Sequence, residues 1–237
     1  MMKKMRMTQV IRTECLGPHM RRIVLHGNEL SDFPTDYESA HFKAIFPKPG
    51  EHKPQLGLYP GFKKWMRSYT VRAFDNQKKE LTVDFAVNDH EGLATNWAKN
   101  AQPGDYLGVA GPGSPRYPDY NADWHLLIAD LTGLPAAAAI LEKLPEDAIG
   151  HALLQIPDIA DKQAISVPEG VSLSWVINND LSRNALLEHL ETLPWQSGEP
   201  TIFVAAESSQ MKAINRYLKT KPGYQKAKTA TSGYWVA

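Results

Sequence analysis

The chain changes its sequence pattern near its middle, and that change restricts the possible folds more than any other feature. In the first half, short runs rich in β-branched and aromatic residues are separated by Gly, Pro, Asn or Asp, which is typical of strands and turns. These runs are MRRIVLHG, HFKAIFP, RSYTVRAF, ELTVDFAVN and DYLGVAGP. One helical segment, EGLATNWAKNA, interrupts them. The first half therefore predicts an antiparallel β domain.

The second half alternates strands with helices. The apolar runs HLLIAD, HALLQI, LSWVIN and TIFVAA are strand candidates, and PAAAAILEKL, SRNALLEHLETL and SSQMKAINRYLKT are helix candidates. In the last two helices, apolar residues recur three and four positions apart. This alternation predicts a parallel, doubly wound α/β domain, a fold that binds ligands beyond the carboxyl ends of its strands. We place the join in SPRYPDYNADW and expect domains at residues 1–118 and 119–237.

Composition and charge argue against several classes of function. Lys plus Arg and Asp plus Glu both number 26, so the overall charge favours neither nucleic acid nor a membrane surface as a partner. The one cysteine, Cys15, rules out an internal disulfide, and the histidines lack the spacing of a metal site. The N-terminus lacks the apolar segment of a signal peptide, and the longest apolar run, Leu134–Leu141, is too short to span a bilayer. We therefore expect a cytoplasmic protein that binds any charged ligand through a local patch.

The run RSYTVR has unusual residues for a half-buried strand. Alternation places Arg67 and Tyr69 on one face and Thr70 on the other. A guanidinium can bind a phosphate through two nitrogens, and a tyrosine ring can stack on a flat heterocycle. Thr70 and its backbone can hydrogen-bond the polar edge of such a heterocycle. The run therefore indicates either a ligand platform or an exposed strand with solvated arginines.

The segment NDHEGLATNWA indicates an anion site. Gly92 lies where a strand gives way to a helix, and Ala94 and Thr95 fall in the first turn of that helix. Free backbone N–H groups and the helix dipole at such a start favour phosphate or pyrophosphate, and Thr95 can add a hydroxyl donor. The alternative is an ordinary capped helix without a ligand.

Two turns in the second half have a similar shape. In ADLTGLPAA, Thr132 and Gly133 follow a strand and precede a helix, which suits a nucleotide pyrophosphate, although Asp130 places a carboxylate nearby. In VAAESSQ, Glu207 precedes another helix and lies either near the nicotinamide end of a dinucleotide or in a helix cap. Each turn is also compatible with a plain strand–helix connection, since Gly-x-Gly-x-x-Gly is absent.

The order of these motifs resembles that of the siderophore-interacting proteins, which are FAD-dependent ferric-siderophore reductases of the ferredoxin-reductase-like superfamily. The matching segments are RSYTVR, DFAVNDHEGLATNWAKNAQPGDYLGVAGPGS, AAESSQMKAINRYL and SGYW, together with PHMRRIVLHGNEL and HFKAIFP near the start. The resemblance implies an N-terminal antiparallel Greek-key β-barrel that holds FAD and a C-terminal α/β domain that binds NADH or NADPH.

The resemblance also implies roles for single residues. Arg67 would meet a phosphate, Tyr69 would pack on the isoalloxazine, and Thr70 would lie near its reactive edge, while the turn 92–95 would hold the pyrophosphate. The full set of cofactor-binding residues that we expect is Arg67, Ser68, Tyr69, Thr70, Asp84, Phe85, Val87, Gly92, Ala94, Thr95, Trp97, Thr132, Gly133, Glu207 and Trp235.

The implied activity is electron transfer from NAD(P)H through FAD to a ferric siderophore, with release of Fe(II) and without a catalytic acid–base side chain. An anionic chelate requires local cations, and the residues that best match the family pattern are Lys43, Arg116 and Lys228. Ferredoxin is an alternative electron donor. A flavoreductase for a protein or quinone acceptor and a non-catalytic siderophore carrier are the alternative functions.

Overall fold

The structure is a computed structural model that describes residues 4–87, 91–180 and 182–236. Its contacts divide the chain into two units, Met1–Pro115 and Arg116–Ala237. The first contains a seven-stranded antiparallel sheet and the second a five-stranded parallel sheet with helices. The predicted combination of a β domain and an α/β domain is therefore confirmed. The domain boundary expected at residue 118 stays a prediction.

The described residues of the first unit form seven strands and one α-helix. The strands are β1 (Met5–Gly17), β2 (Met20–His26), β3 (His41–Ile45), β4 (Met66–Thr70), β5 (Ala73–Asp75), β6 (Glu80–Ala86) and β7 (Tyr106–Ala110), and the helix is α1 (Leu93–Asn100). Two short 3-10 helices span Asn28–Asp32 and Phe62–Trp65. The strand order is β4-β3-β7-β1-β2-β6-β5, and every neighbouring pair is antiparallel.

The run RSYTVRAF, predicted as one strand, forms two strands because the chain changes partners within it. Val71 donates its N–H to the Ala40 carbonyl beside β3, at 2.8 Å, whereas the next residue, Arg72, donates to the Thr82 carbonyl of β6, at 3.1 Å. The two ends of the sheet therefore meet here, and the sheet curls into a barrel. Its interior is filled by apolar side chains from most strands, among them Ile23, Leu25, Phe42, Leu81, Val83, Phe85, Leu107 and Val109.

Strand β1 was absent from the sequence prediction because its buried positions are partly polar. Arg6 and Thr8 are both buried. Arg6 donates to the Gly111 carbonyl at 2.6 Å and to Asp32 Oδ1 at 2.8 Å, and the Thr8 hydroxyl donates to the Leu107 carbonyl at 2.6 Å. Because these polar groups have internal partners, they can be buried. They also remove the apolar alternation by which a strand is recognised.

In the second unit, the residues that the structure describes form five strands and three α-helices. The strands are β8 (Trp124–Ala129), β9 (Gly150–Ile156), β10 (Val171–Ile177), β11 (Pro200–Glu207) and β12 (Thr229–Trp235), and the helices are α2 (Leu134–Leu141), α3 (Ala185–Thr192) and α4 (Ser208–Leu218). Strands β8 to β11 and the three helices occur where the sequence predicts them. Strand β12, with the sequence TATSGYW, lies at the sheet edge and has no apolar alternation that could have predicted it.

The order of the second sheet, β10-β9-β8-β11-β12, has its switch point between β8 and β11. The chain leaves β8 through α2 to reach β9 on one side, and β11 lies on the other side of β8. An open parallel sheet binds ligands at the carboxyl ends of the two strands that flank such a point. In the second unit, the carboxyl end of β8 leads into α2, and the carboxyl end of β11 leads into α4.

Helix α2 packs very closely on β11, and all eight of its residues are buried. Gly133, the residue before α2, makes this approach possible. A methyl group at Gly133 would overlap the Ala205 carbonyl oxygen and lie 2.7 Å from Ala205 Cβ. Gly133 has φ −85°, so it is needed here for space and not for an unusual backbone conformation.

We expect Gly133→Ala to lower the free energy of unfolding by about 1–3 kcal/mol, because the added methyl overpacks the contact between α2 and β11. Urea denaturation followed by circular dichroism measures this loss. Gly92→Ala is the control, because a methyl at Gly92 meets nothing nearer than Thr95 Oγ1 at 4.0 Å. We expect the control to lose only about 0.5–1 kcal/mol, through a less favourable N-cap. Equal losses in the two variants would contradict the close packing of α2.

Candidate functional site

Strand β4 is an edge of the first sheet, and part of its backbone faces away from β3, the strand with which it pairs. Hydrogen bonding alternates along an antiparallel pair. Since the Val71 N–H points toward the β3 side, the backbone N–H and C=O groups of Ser68 and Thr70 point the other way. An edge of this kind can bind a ligand through main-chain hydrogen bonds. The sequence predicts that the backbone of Thr70 meets the polar edge of a heterocycle, and Ser68 is also among the expected cofactor-binding residues.

The Tyr69 ring is held by an aromatic cluster. It lies 4.2 Å from the Phe85 ring and 6.3 Å from the Phe46 ring, measured between centroids. Trp97 of α1 contacts the same two phenylalanines, at 5.6 and 5.5 Å. Burial raises the pKa of the Tyr69 hydroxyl, so the phenol stays neutral. The cluster connects β4, β6 and α1, although Tyr69 and Trp97 lie 28 positions apart in the sequence.

Helix α1 begins at a glycine that cannot cap it with a side chain. Gly92 is the N-cap residue, in an extended conformation, and no side chain of the described residues bonds to the first turn as its cap. The Gly92 N–H itself donates to Asn96 Oδ1 at 3.3 Å. Ala94 is buried and Thr95 is half-buried. This start has the small residues and the space that an anion needs to approach the backbone N–H groups.

Arg67 lies at the start of β4 with an exposed side chain. Its Nη1 atom donates to the carbonyls of Lys64 and Met66, at 3.0 and 2.9 Å. These bonds fix one nitrogen of the guanidinium and are compatible with a phosphate contact through the other nitrogens. We refer to residues 67–70 and 92–95 together as the cradle.

Asp84 was expected among the cofactor-binding residues, but the structure places its carboxylate inside an ion-pair network. The side chain is fully buried, and Arg22 binds it with two nitrogens, at 2.7 and 2.8 Å. Arg72 Nε lies 3.7 Å from Oδ2 of the same carboxylate. Arg72, for which the sequence suggests no role, therefore helps to balance a buried charge. Two other expected residues on this segment are also internal: Phe85 is a core residue, and Val87 donates its N–H to the His19 carbonyl.

In the turn between β8 and α2, the hydrogen-bond donors have an acceptor within the same turn, the carboxylate of Asp130. Asp130 is buried, and its Oδ1 atom accepts hydrogen bonds from Thr132 N at 2.8 Å, Thr132 Oγ1 at 2.6 Å and Gly133 N at 3.1 Å. Its Oδ2 atom accepts from the indole N–H of Trp235 at 2.8 Å. The donors of Thr132 and Gly133 that the sequence assigned to a pyrophosphate therefore have an internal acceptor, and Trp235 is held by the same carboxylate.

Glu207 has a similar place at the end of β11. Its side chain is buried, and Oε2 accepts from Ser209 N, Ser209 Oγ and Gln210 N, at 2.6, 2.5 and 3.0 Å. Of the two possibilities left open by the sequence, the structure places Glu207 as the cap of α4. Contact with a nicotinamide stays a prediction.

The three expected substrate-binding cations have different surroundings. Lys43, on β3, is exposed and lies 2.5 Å from the Ser68 hydroxyl of β4. Arg116 is exposed at the start of the second unit. Lys228, also in the second unit, donates to Glu199 at 2.9 Å, and this bond raises the Lys228 pKa. Lys43 therefore lies directly beside the cradle, whereas the charge of Lys228 is offset by a carboxylate.

The segment 43–67 concentrates positive charge that the sequence analysis weighed too little. In a chain with no net charge, it contains six basic residues, Lys43, Lys48, Lys53, Lys63, Lys64 and Arg67, and one acidic residue, Glu51. A local count of charges along the sequence would have found it. Its two ends, Lys43 and Arg67, lie at the cradle, so an anionic ligand there would meet these two positive charges.

Some features are absent from the part of the chain that the structure describes. None of the helices in residues 4–87, 91–180 and 182–236 has both the length and the apolar character needed to cross a membrane. The same ranges contain no cluster of three or more His, Cys, Asp or Glu side chains able to hold a metal ion.

The first unit shows to which class of protein the chain belongs when it is compared with known proteins. Residues 9–116 match the siderophore-interacting FAD-binding domain, and residues 122–237 match the siderophore-interacting protein family. The chain therefore belongs to the siderophore-interacting protein family, and the resemblance seen in the sequence is confirmed. The cradle suits the FAD that this class binds. The start of α1 has space for an anion, the Tyr69 ring is held by neighbouring aromatic rings, and β4 presents backbone groups that point away from β3.

Relatives match over nearly their whole length. The ferric vibriobactin reductase ViuB of Vibrio cholerae is 33% identical over 97% of this chain and 89% of its own. The NADPH-dependent ferric-chelate reductase of Escherichia coli is 30% identical over 96% of this chain and 91% of its own. The crystal structure of the siderophore-interacting protein SipS from Aeromonas hydrophila superposes with a TM-score of 0.88 at 31% identity, covering 99% of this chain and 92% of that one.

We expect Asp84→Asn to lower the free energy of unfolding by about 3 kcal/mol, because it removes a buried charge that two arginines share. Denaturant unfolding of the apoprotein measures the loss. Asp75→Asn, at an exposed turn of the same unit, is the control and should have a much smaller effect. If Asp84→Asn kept full stability but lost flavin, Asp84 would contact the cofactor directly.

Proposed function

We propose that the protein is a cytoplasmic flavoprotein reductase that passes electrons from NAD(P)H to a ferric siderophore and releases Fe(II). The observation that carries the proposal is the cradle: an edge strand with Arg67, Tyr69 and Thr70 beside a helix start at Gly92, in a chain of the siderophore-interacting family. The names of the V. cholerae and E. coli relatives support a ferric chelate as the substrate and NADPH as a donor. Ferredoxin is the alternative donor.

The cradle residues would hold FAD by complementary chemistry. Arg67 and the N–H groups at the start of α1 would bind the phosphates. Tyr69, supported by Phe85, would pack on the isoalloxazine, and the backbone of Thr70 would meet its polar edge. When bound, FAD accepts electron pairs from a nicotinamide and passes single electrons to ferric iron.

The charge around the cradle supports an anionic chelate as the substrate. Lys43 lies beside the cradle, and the segment 43–67 has five more positive charges than negative ones. The iron arrives already chelated, so the protein needs no metal ligands of its own. Its contribution is to orient the chelate, and a basic surface does this by attraction. Arg116 and Lys228 are further candidates for this role in the second unit.

The experiment that tests the proposal separates the two halves of the reaction. Purified protein should carry flavin, and anaerobic stopped-flow mixing with NADPH, NADH or reduced ferredoxin should bleach its absorbance. Ferric siderophores should then restore the absorbance and yield Fe(II), trapped by a colorimetric chelator. Bleaching with no reoxidation by any ferric chelate would favour a reductase for a protein or quinone. Protein that binds the chelate but holds no flavin would favour a carrier.

Two variants test the roles of Arg67, which is part of the cradle, and of Lys43, which lies beside it. Arg67→Ala should weaken FAD binding by about tenfold to a hundredfold, since it removes a charge-assisted contact to phosphate. Lys43→Ala should raise the KM for the chelate by about tenfold and leave flavin content unchanged. Lys78→Ala, which removes an exposed lysine paired with Asp75, is the control and should change neither quantity. Loss of flavin in Lys43→Ala would contradict its assignment to the substrate.

A further inference from the structure

The second sheet has a buried carboxylate at each of the two places where an open parallel sheet usually holds a nucleotide phosphate. Asp130 follows β8 and Glu207 ends β11, the two strands that flank the switch point. The strands are paired with Ala129 opposite Ala205, and Asp130 N donates to the Ala205 carbonyl at 3.1 Å. The two carboxylates therefore lie on neighbouring strands at the same edge of the sheet.

From residue 132 to residue 137, the backbone at the start of α2 has no N–H group left for a ligand. Asp130 Oδ1 accepts from the amides of Thr132 and Gly133, and the Asp130 carbonyl accepts from Leu134 N at 2.8 Å. Residue 135 is proline, which has no N–H. The next two amides, of residues 136 and 137, both donate to the Gly133 carbonyl at 3.1 Å. A phosphate at this turn would have to displace internal bonds instead of using free donors.

At the start of α4, two backbone amides and the Ser208 hydroxyl have internal acceptors. Glu207 Oε2 accepts from the amides of Ser209 and Gln210, and the Ser208 hydroxyl donates to the Trp235 carbonyl at 2.7 Å. Both carboxylates are buried and accept several hydrogen bonds, as the oxygens of an ionised carboxylate can. A pyrophosphate placed at this edge would therefore meet two negative charges as well as occupied donors.

We propose that Asp130 and Glu207 are specificity-determining residues that exclude pyrophosphate from the carboxyl edge of the second sheet. The electron donor then binds at this edge without hydrogen bonds from the protein to its pyrophosphate. This inference rests on the proposed function, because it concerns the donor that reduces the flavin. It also revises the sequence-based expectation that Thr132 and Gly133 hold a nucleotide pyrophosphate.

The test compares NADH with reduced nicotinamide mononucleotide, which has the same reactive ring but neither pyrophosphate nor adenosine. The kcat/KM for flavin reduction is measured with each donor in the flavin-loaded protein. The ratio of the two values should rise at least about tenfold in the Asp130→Asn/Glu207→Gln double variant, because two charges that oppose the pyrophosphate are gone. A folded, flavin-loaded double variant with an unchanged ratio would overturn the inference.

Two matched variants separate charge from local structure. Asp123→Asn neutralises a carboxylate of the same unit that also accepts a backbone N–H, from Glu199, but at the opposite end of β8. Trp235→Phe removes the indole bond to Asp130 and keeps the carboxylate. Neither should raise the ratio. A rise in Trp235→Phe as large as that in the double variant would show that loosening of β12, and not charge, controls the donor.

A measurement on the unaltered protein covers the case in which the double variant does not fold. Inorganic pyrophosphate at millimolar concentration should not compete with NADH, and competitive inhibition would overturn the inference. Failure of the proposed function is recognised separately. If protein reduced by dithionite is not reoxidised by any ferric chelate, the reductase assignment fails. If it is reoxidised and the donor ratio does not respond, only the inference about Asp130 and Glu207 fails.

Discussion

The carboxylate of Asp130 accepts hydrogen bonds from the Thr132 and Gly133 amides and from the Trp235 indole, and the arrangement of the second unit depends on these bonds. They tie the edge strand β12 to the turn after β8, and they satisfy amides that would otherwise be buried without partners. They allow α2 to pack against β11 with all its residues buried. The same bonds use the donors that an α/β sheet commonly offers to a nucleotide phosphate.

In the first unit, by contrast, no internal carboxylate among the residues that the structure describes occupies the start of the helix. Helix α1 starts at Gly92, which has no side chain to cap the first turn, and β4 presents backbone groups at a sheet edge. The contacts among Tyr69, Phe85 and Trp97 hold these two elements together. The buried Asp84 network stabilises the barrel behind them. We therefore expect a diphosphate to bind in the first unit, where the family's FAD-binding domain is found.

Elements with strong apolar patterns could be predicted from the sequence, whereas the roles of Tyr69 and Gly92 in the cradle stay predictions. Strand β1 could not, because buried Arg6 and Thr8 conceal its alternation. The internal use of Asp84 and Asp130 could not either, since a carboxylate's partners come from distant parts of the chain. Sequence spacing shows which residue types occur at a turn. It does not show whether their donors are already occupied.

FAD binding at the cradle and the internal bonds of Asp130 are tested most directly by a crystal structure of the protein with FAD and the oxidised donor nucleotide bound. We expect one FAD diphosphate against the amides of residues 93–95, with Tyr69 packed on the isoalloxazine. We also expect Asp130 to keep its bonds to Thr132, Gly133 and Trp235 when the nucleotide is present. A diphosphate at the start of α2 with Asp130 displaced, or a flavin bound away from β4, would contradict these expectations.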